Sequence, residues 1–117
     1  MLDSNVVIYL AAAHPAVDPA WIDEGMISTI TLIETLGYHR LGETEHRQLE
    51  QLIDGLDLIA VSHPIIEQAM ALRQRRRMSL GDSIIAATAI TLDLPLVTSN
   101  LQDFNRIESL RVLDPSR

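Results

Sequence analysis

The sequence predicts an α/β fold, a three-layer α/β/α sandwich around a mainly parallel central sheet of four to five strands. Two observations carry this prediction. Short apolar runs alternate with longer segments of helical periodicity, and strands that alternate with helices favour a parallel sheet covered on both faces. In addition, a chain of 117 residues with 47% apolar residues is long enough to bury a core as one domain over residues 1–117.

Five apolar runs are predicted strands. Each is bounded on at least one side by Gly, Pro, Ser or Asp, the residues that typically end a strand. In chain order they span residues 1–2, 26–30, 56–61, 96–98 and 110–113. The first is short for a buried strand, which indicates that it is clipped at the start of the chain.

Segments between these runs have the periodicity and end signals of helices. The predicted helices span residues 6–13, 31–41, 43–53, 65–77 and 80–92, with turns at 3–5 and 99–104 and a polar connection over 15–25. The second helix is expected to open at Thr31, because Thr31 and Glu34 have capping-box spacing. The fourth is expected to turn four side chains inward, namely Ile66, Ala69, Met70 and Leu72.

The fifth helix is the most apolar. Residues 84–92 are apolar and small except for Thr88 and Thr91, and a helix that is apolar on every side is a buried one. Asp82 stands at its start, three residues after Ser79. One interpretation is a structural cap that complements the helix dipole. The other is a carboxylate paired with a cation, because burying an unpaired charge is costly.

Composition excludes several classes of protein. The chain has no cysteine, which excludes disulfides, zinc-thiolate sites and cysteine nucleophiles. A net charge of −7 argues against a general nucleic-acid coat, whose binding depends on phosphate neutralisation. No apolar run approaches the ~18 residues of a transmembrane helix and no signal peptide opens the chain, so we expect a cytoplasmic protein with no membrane partner.

Four acids occupy one kind of position in the predicted fold. They follow strands or open the buried helix: Asp3, Glu34, Asp82 and Asp103. Strands of a parallel sheet hand over to helices along one edge, where binding sites form. Carboxylates that converge there repel each other, and Mg²⁺ is a natural compensation that could support phosphodiester cleavage. The alternative is that each acid is a separate helix cap.

Four stretches of the sequence carry a resemblance to a known family. They are Leu2-Asp3-Ser4-Asn5, the run from Ser28 to Glu34, the run from Leu80 to Ala89, and the run from Leu96 to Phe104. In this order, over nearly the whole chain, they resemble the PIN-domain ribonucleases and, more narrowly, the VapC toxins of bacterial toxin–antitoxin pairs. The block from Asp82 to Ala89, joined to Val97-Thr98-Ser99-Asn100 and then Asp103-Phe104, is the most specific part.

The resemblance implies an endoribonuclease that depends on Mg²⁺ or Mn²⁺. Its acidic core would be Asp3, Glu34 and Asp82, with Asp3 and Asp82 as direct metal ligands and Glu34 binding the metal or orienting a water on it. The fourth acidic place is either Asn100, a neutral ligand, or Asp103.

Polar residues are expected around these ligands: Ser4, Asn5, Thr98 and Asn100. Ser4 and Thr98 would orient Asp3 through their hydroxyls, and the alternative is ordinary turn capping. Gly81 stands where similar proteins often carry Ala, a difference expected to be harmless to the chemistry.

An arginine cluster ends the helix before Asp82, at Arg73, Arg75, Arg76 and Arg77. It is either a solvated face that favours the helix C-terminus or a set of cations that hold RNA phosphates. Tyr38, Leu41 and the helix over 43–53 could form a groove for a partner. The resemblance implies that this partner is a cognate antitoxin protein, and it also implies a homodimer.

The sequence therefore predicts a toxin-type endoribonuclease that cuts single-stranded or loop RNA by metal-assisted hydrolysis. One alternative is a catalytically inactive PIN-like module that binds RNA or protein. A second is a receiver-like domain with a phosphorylatable aspartate, but that class needs a lysine late in the chain and this chain has none.

Overall fold

The computed structural model describes residues 1–116. Within them the elements are, in chain order, α1 (Ser4–Ala11), α2 (Trp21–Glu24), β1 (Met26–Ser28), α3 (Thr29–Leu36), α4 (Glu43–Asp54), β2 (Asp57–Ile59), α5 (His63–Arg75), α6 (Leu80–Thr91), β3 (Leu96–Val97), α7 (Leu101–Phe104) and β4 (Val112–Leu113).

The strands are short and parallel. β1 pairs with β2, and β3 pairs with β4. Residues 1–3 lie between the two pairs, because the Leu2 N–H donates to the Met26 carbonyl (2.8 Å) and the Asp3 N–H donates to the Val97 carbonyl (3.0 Å). Leu2 also forms a parallel bridge with Val97. The predicted parallel α/β fold is confirmed, with the strand segments in the order β2, β1, residues 1–3, β3, β4.

This array separates two hydrophobic clusters. Met1 and Leu96 belong to the cluster built by α5 and α6, whereas Leu2 and Val97 belong to the cluster that contains α1 and α4. Successive side chains of a strand point to opposite faces of the sheet. The segment at residues 1–3 and strand β3 therefore each contribute one side chain to each cluster. The prediction that α6 is buried holds for its middle, since residues 85–89 are all buried.

Several predicted element bounds are wrong. β1 stops at Ser28 because the Ser28 hydroxyl accepts the Ile30 N–H (3.2 Å) and caps α3, so α3 opens before Thr31 and ends at Leu36. Residues 4 and 5 belong to α1, since the Asp3 carboxylate caps that helix at Ser4. Helices α2 and α7 lie in the predicted connection and the predicted turn.

The inward face of α5 is also corrected. Ile66 and Met70 are 43% and 53% exposed, whereas Ile65, Ala69 and Leu72 are buried. The buried three follow the i, i+4, i+7 spacing of one helix face, and the exposed two lie one position further round. None of the helices within residues 1–116 is long and apolar enough to cross a bilayer.

Candidate active site

Asp3 lies at the centre of the sheet edge, where the first strand segment turns into α1. Its side chain is buried, at 5% exposure, and each of its oxygens accepts one hydrogen bond. The Ser4 N–H donates to Oδ1 (2.8 Å) and the Thr98 hydroxyl donates to Oδ2 (2.7 Å). Burial raises the pKa of Asp3 and the nearby Glu34 carboxylate adds to the rise, while these two hydrogen bonds oppose it. The carboxylate is thus fixed in orientation but short of positive charge.

Glu34 reaches the same edge from the sixth position of α3. The Ser4 hydroxyl donates to its Oε1 (2.7 Å) and lies 3.0 Å from the Thr31 hydroxyl. Because the single Ser4 hydroxyl proton goes to Glu34, Thr31 must donate to Ser4. The Ser4 hydroxyl therefore orients Glu34, and it is the Ser4 backbone N–H that contacts Asp3. Thr31 is a site residue that sequence reasoning placed only as a cap, although its position one turn before Glu34 was the available signal.

Asp82 lies in the first turn of α6, and its backbone N–H donates to the Ser79 hydroxyl (3.1 Å). Ser79 therefore caps α6 through its hydroxyl, which is the Ser79 half of the predicted capping box. The pKa of Asp82 is raised first by burial, then by the negative charge of Asp3 and also by that of Asp103, while a hydrogen bond between its side chain and Ser79 opposes the rise. Asp82 thus interacts with acids from both sides, which a simple cap does not need.

Asn100 and Asp103 act as a pair. The Asn100 side-chain amide donates to Asp103 Oδ2 (2.9 Å), and the Asn100 backbone N–H donates to the Thr98 hydroxyl (3.0 Å). Thr98 is therefore held by Asn100 while it holds Asp3. Of the two candidates for the fourth place, Asp103 supplies the charge that acts on Asp82, and Asn100 orients it.

Gly81 makes room for the Glu34 side chain. A methyl carbon built at Gly81 would lie 2.9 Å from Glu34 Cδ and closer still to Oε2. The Glu34 carboxylate rests on the first turn of α6 because that turn has no side chain there. A contact between residues 47 positions apart leaves no local signal in the sequence.

Asn5 is the predicted site residue that the structure leaves aside. It is exposed on α1, and its side chain makes no hydrogen bond to any other described residue. The four arginines lie at the end of α5 and in the segment that leads to α6.

Of the predicted site residues, the sheet edge brings together the four acids and their hydrogen-bond partners. The acids are Asp3, Glu34, Asp82 and Asp103.

The donor set of this edge suits a hard divalent cation. No arginine or histidine within residues 1–116 forms an ion pair with any of the four acids. Besides burial, the charge of Glu34 raises the pKa of Asp3, and the charges of Asp3 and Asp103 raise the pKa of Asp82. In the same part of the chain no three His, Asp or Glu side chains form a ready-made metal cage. Mg²⁺ does not require one, because it binds through one or two carboxylates and keeps several waters.

An apolar groove opens beside Glu34. It has a volume of about 230 Å³ and lies between α1, α3 and α4. Tyr38 and Leu41 line it together with Ile8 and Leu49. The predicted combination of Tyr38, Leu41 and the helix now bounded as α4 thus does form one concave surface.

Comparisons with known proteins agree with this geometry. Residues 1–110 match the family described as "PIN domain". The chain is 32% identical to "Ribonuclease VapC" of Rickettsia bellii, over 97% of this chain and 93% of that protein. It is 29% identical to "tRNA(fMet)-specific endonuclease VapC" of Shigella flexneri, over 97% of this chain and 96% of that protein. The solved structure "Toxin-antitoxin complex from Klebsiella pneumoniae" is similar with a TM-score of 0.73 and 31% identity, covering 97% of this chain and 95% of that one.

Proposed function

The chain belongs to the PIN-domain family, and from this premise we propose that it is a VapC-type endoribonuclease, dependent on Mg²⁺ or Mn²⁺, and the toxin of a toxin–antitoxin pair. The observation that carries the proposal is the cluster of four acids at one sheet edge, with which no arginine or histidine among residues 1–116 forms an ion pair. Family membership sets aside the receiver-like alternative.

In this proposal Asp3 and Asp82 hold the cation. Thr98 and the Ser4 N–H fix both oxygens of Asp3, so the ligand is oriented before the metal arrives. When bound, a divalent cation supplies Lewis acidity that stabilises charge on the phosphodiester oxygens.

In the proposal, Glu34 orients the attacking water, and Asp103 adds a carboxylate on the side of the site where Asp82 lies. Oε1 of Glu34 accepts the Ser4 hydroxyl, which leaves Oε2 able to orient the attacking water and accept its proton. Asp103, held by Asn100, adds a fourth carboxylate next to Asp82. The substrate is single-stranded or loop RNA, and the name of the Shigella flexneri relative makes transfer RNA the first one to test.

The groove beside Glu34 is our proposed seat for the cognate antitoxin. Its lining is mostly apolar and Glu34 lies at its border, so a segment bound there could extend a basic side chain to the acids. A positive charge placed among the acids in this way would block the site. Because RNA is the substrate, the proposal also places the protein in the cytoplasm.

Cleavage of an RNA panel, including transfer RNA, by partner-free protein tests the proposal. We expect cutting in Mg²⁺ or Mn²⁺ and none in EDTA. Asp82→Asn should lower the rate at least about 100-fold, because a metal's transition-state stabilisation amounts to several kcal/mol. Asp54→Asn makes the same chemical change at an exposed position at the end of α4 and should leave the rate unchanged.

A catalytically inactive binding module is the remaining alternative. It predicts RNA or protein binding without cleavage, no rise in thermal stability with Mg²⁺, and full function in Asp82→Asn. Equal cutting by wild type and Asp82→Asn would instead identify a contaminating nuclease.

A further inference from the structure

A polar cleft lies between the end of α5 and the segment that follows α7. Its volume is about 510 Å³. The polar and charged residues that line it are Gln68, Arg75, Arg76, Arg106, Glu108 and Ser109. Of the four arginines that the sequence groups together, only Arg75 and Arg76 face this cleft, and they are joined there by Arg106.

Arg76 has a buried hydrogen-bond donor with no partner among the described residues. It is the residue at which α5 ends, and its backbone is extended (φ −157°, ψ 158°). The Nη1 atom of its guanidinium is buried and has no hydrogen-bond partner among the described residues. Buried donors are almost always paired, because leaving one unpaired costs its desolvation energy. The Arg76 guanidinium therefore has hydrogen-bonding capacity that no described residue uses, and Arg76 also lines the cleft.

The charge of the cleft selects an anion. Within residues 1–116, no carboxylate forms an ion pair with Arg75, Arg76 or Arg106. Glu108 contributes one negative charge to the lining against three positive ones. A planar guanidinium fork matches phosphate oxygens with two parallel hydrogen bonds. An unbalanced cationic cleft in a protein of net charge −7 is therefore fitted to phosphate.

The segments that form the cleft are continuous in the chain with those that carry two of the acids. Arg106 follows α7, which carries Asp103, and residues 77–79 connect Arg76 to α6, which carries Asp82. Both walls of the cleft thus continue into segments of the acidic edge. We propose that the cleft binds a backbone phosphate of the RNA substrate through Arg76, with Arg75 and Arg106 at its sides. The proposal rests on the ribonuclease function given above.

RNA binding without cleavage tests it. The affinity of a labelled single-stranded RNA oligonucleotide is measured in EDTA at several salt concentrations, with Asp82→Asn as the background. Adding Arg76→Gln should weaken binding at least about tenfold, since the contact is a charge-assisted hydrogen bond. Adding Arg106→Gln should weaken it less. Each change should reduce the slope of log affinity against log salt by about one.

Controls separate this site from general charge and from misfolding. Arg47→Gln removes an exposed arginine from α4 and should change neither affinity nor slope. Arg106 is exposed, so Arg106→Gln keeps the test valid if Arg76→Gln fails to fold. Unchanged affinity and slope in the Arg106 variant and in a folded Arg76 variant would overturn the proposal.

Inorganic phosphate distinguishes the two sources of the ligand. If phosphate raises the Tm of the wild type but not of Arg76→Gln, while RNA affinity is equal in both, the cleft binds free phosphate and the RNA assignment is overturned. Cleavage of the same oligonucleotide in Mg²⁺ is measured separately. Arginine-dependent binding with no cleavage would support the cleft and contradict the ribonuclease function.

Discussion

At the scale of single residues, Gly81 shows how a missing side chain can make room for another one, the Glu34 carboxylate. The Glu34 carboxylate occupies the space that a Cβ at position 81 would fill. Gly is otherwise a poor choice inside a helix, where it costs about 1 kcal/mol relative to Ala. In the first turn of α6 it leaves the space that the Glu34 carboxylate occupies.

Gly81→Ala should separate activity from stability. We expect RNA cleavage to fall about tenfold or more, because Glu34 must leave its place beside Ser4, a loss in the range seen when a ligand-orienting contact is removed. The Tm should stay the same or rise, because Ala favours the helix and the carboxylate can swing away. Cleavage rate and thermal melting are measured on the same preparation.

The matched control is Gly55→Ala at the end of α4. A Cβ there would lie 3.6 Å from the Leu52 carbonyl oxygen, an ordinary contact, so activity should not change. Full activity of Gly81→Ala would mean that the Glu34 carboxylate does not need this position.

We expect Asp82 to make the metal-free protein less stable as pH rises. Its pKa in the folded protein is raised above the usual 3.8, first by burial and then by Asp3. The folded state therefore binds the proton more readily than the unfolded state does. The resulting penalty is absent below the unfolded pKa and fully present above the folded pKa.

Asp82→Asn should accordingly raise the Tm in EDTA at about pH 7, since it removes an ionised carboxylate from an acidic cluster. The gain should shrink as pH falls towards the usual carboxyl pKa, where the wild-type group becomes protonated. Adding Mg²⁺ should raise the Tm of the wild type and leave that of the variant nearly unchanged. If the variant and the wild type differ in Tm by the same amount at about pH 7 and near the usual carboxyl pKa, this electrostatic origin is contradicted.

At the scale of elements, the sequence predicts the order of strands and helices better than their ends. Apolar runs and turn residues locate all five strand segments, and the buried α6 follows from its composition. The start of α3 does not follow, because Ser28 and Thr31 are both good caps and the choice depends on where the pairing of β1 with β2 ends. Which face of α5 is buried likewise depends on how α6 packs against it.

Ser28 provides a test of this choice of cap. Its hydroxyl accepts a hydrogen bond from the Ile30 N–H. This bond caps the start of α3, the helix that carries Glu34. Ser28→Ala should lower the free energy of unfolding by about 1 kcal/mol, the usual cost of losing a helix cap. Urea denaturation measures it.

Ser62→Ala serves as the comparison. Ser62 occupies the same N-cap position of α5 but makes no side-chain capping bond, so its loss should have little effect. Equal destabilisation by the two changes would show that the Ser28 hydroxyl does not cap α3.

At the scale of the whole molecule, the gathering of acids at one edge is predictable and the contacts between them are not. Asp3, Glu34, Asp82 and Asp103 share an edge because parallel strand segments end there. Three features connect distant parts of the chain. They are the hydrogen bond from Ser4 to Glu34, the packing of Glu34 on Gly81, and the cleft lined by Arg76 and Arg106. Such contacts depend on how helices pack on the sheet, which local patterns do not encode.

The α5–α6 surface is where we expect the homodimer that the family resemblance implies. Ile66, Met70 and Leu80 are 43%, 53% and 59% exposed and line, with Ile84, a groove of about 390 Å³. Contiguous exposed apolar side chains mark interaction surfaces. The surface reaches to within two residues of Asp82, so a dimer formed here would bring two acidic sites close together.

Met70→Glu should convert this dimer to a monomer, because it places a charge in the apolar contact. The protomer should still fold, since Met70 is 53% exposed in it. Light scattering coupled to size exclusion measures the mass. Leu92→Glu, a similar change at a residue 45% exposed at the other end of α6, should leave the dimer intact. A wild type that is monomeric at micromolar concentration, or a Met70→Glu protein that remains dimeric, would show that this surface is not the dimer interface.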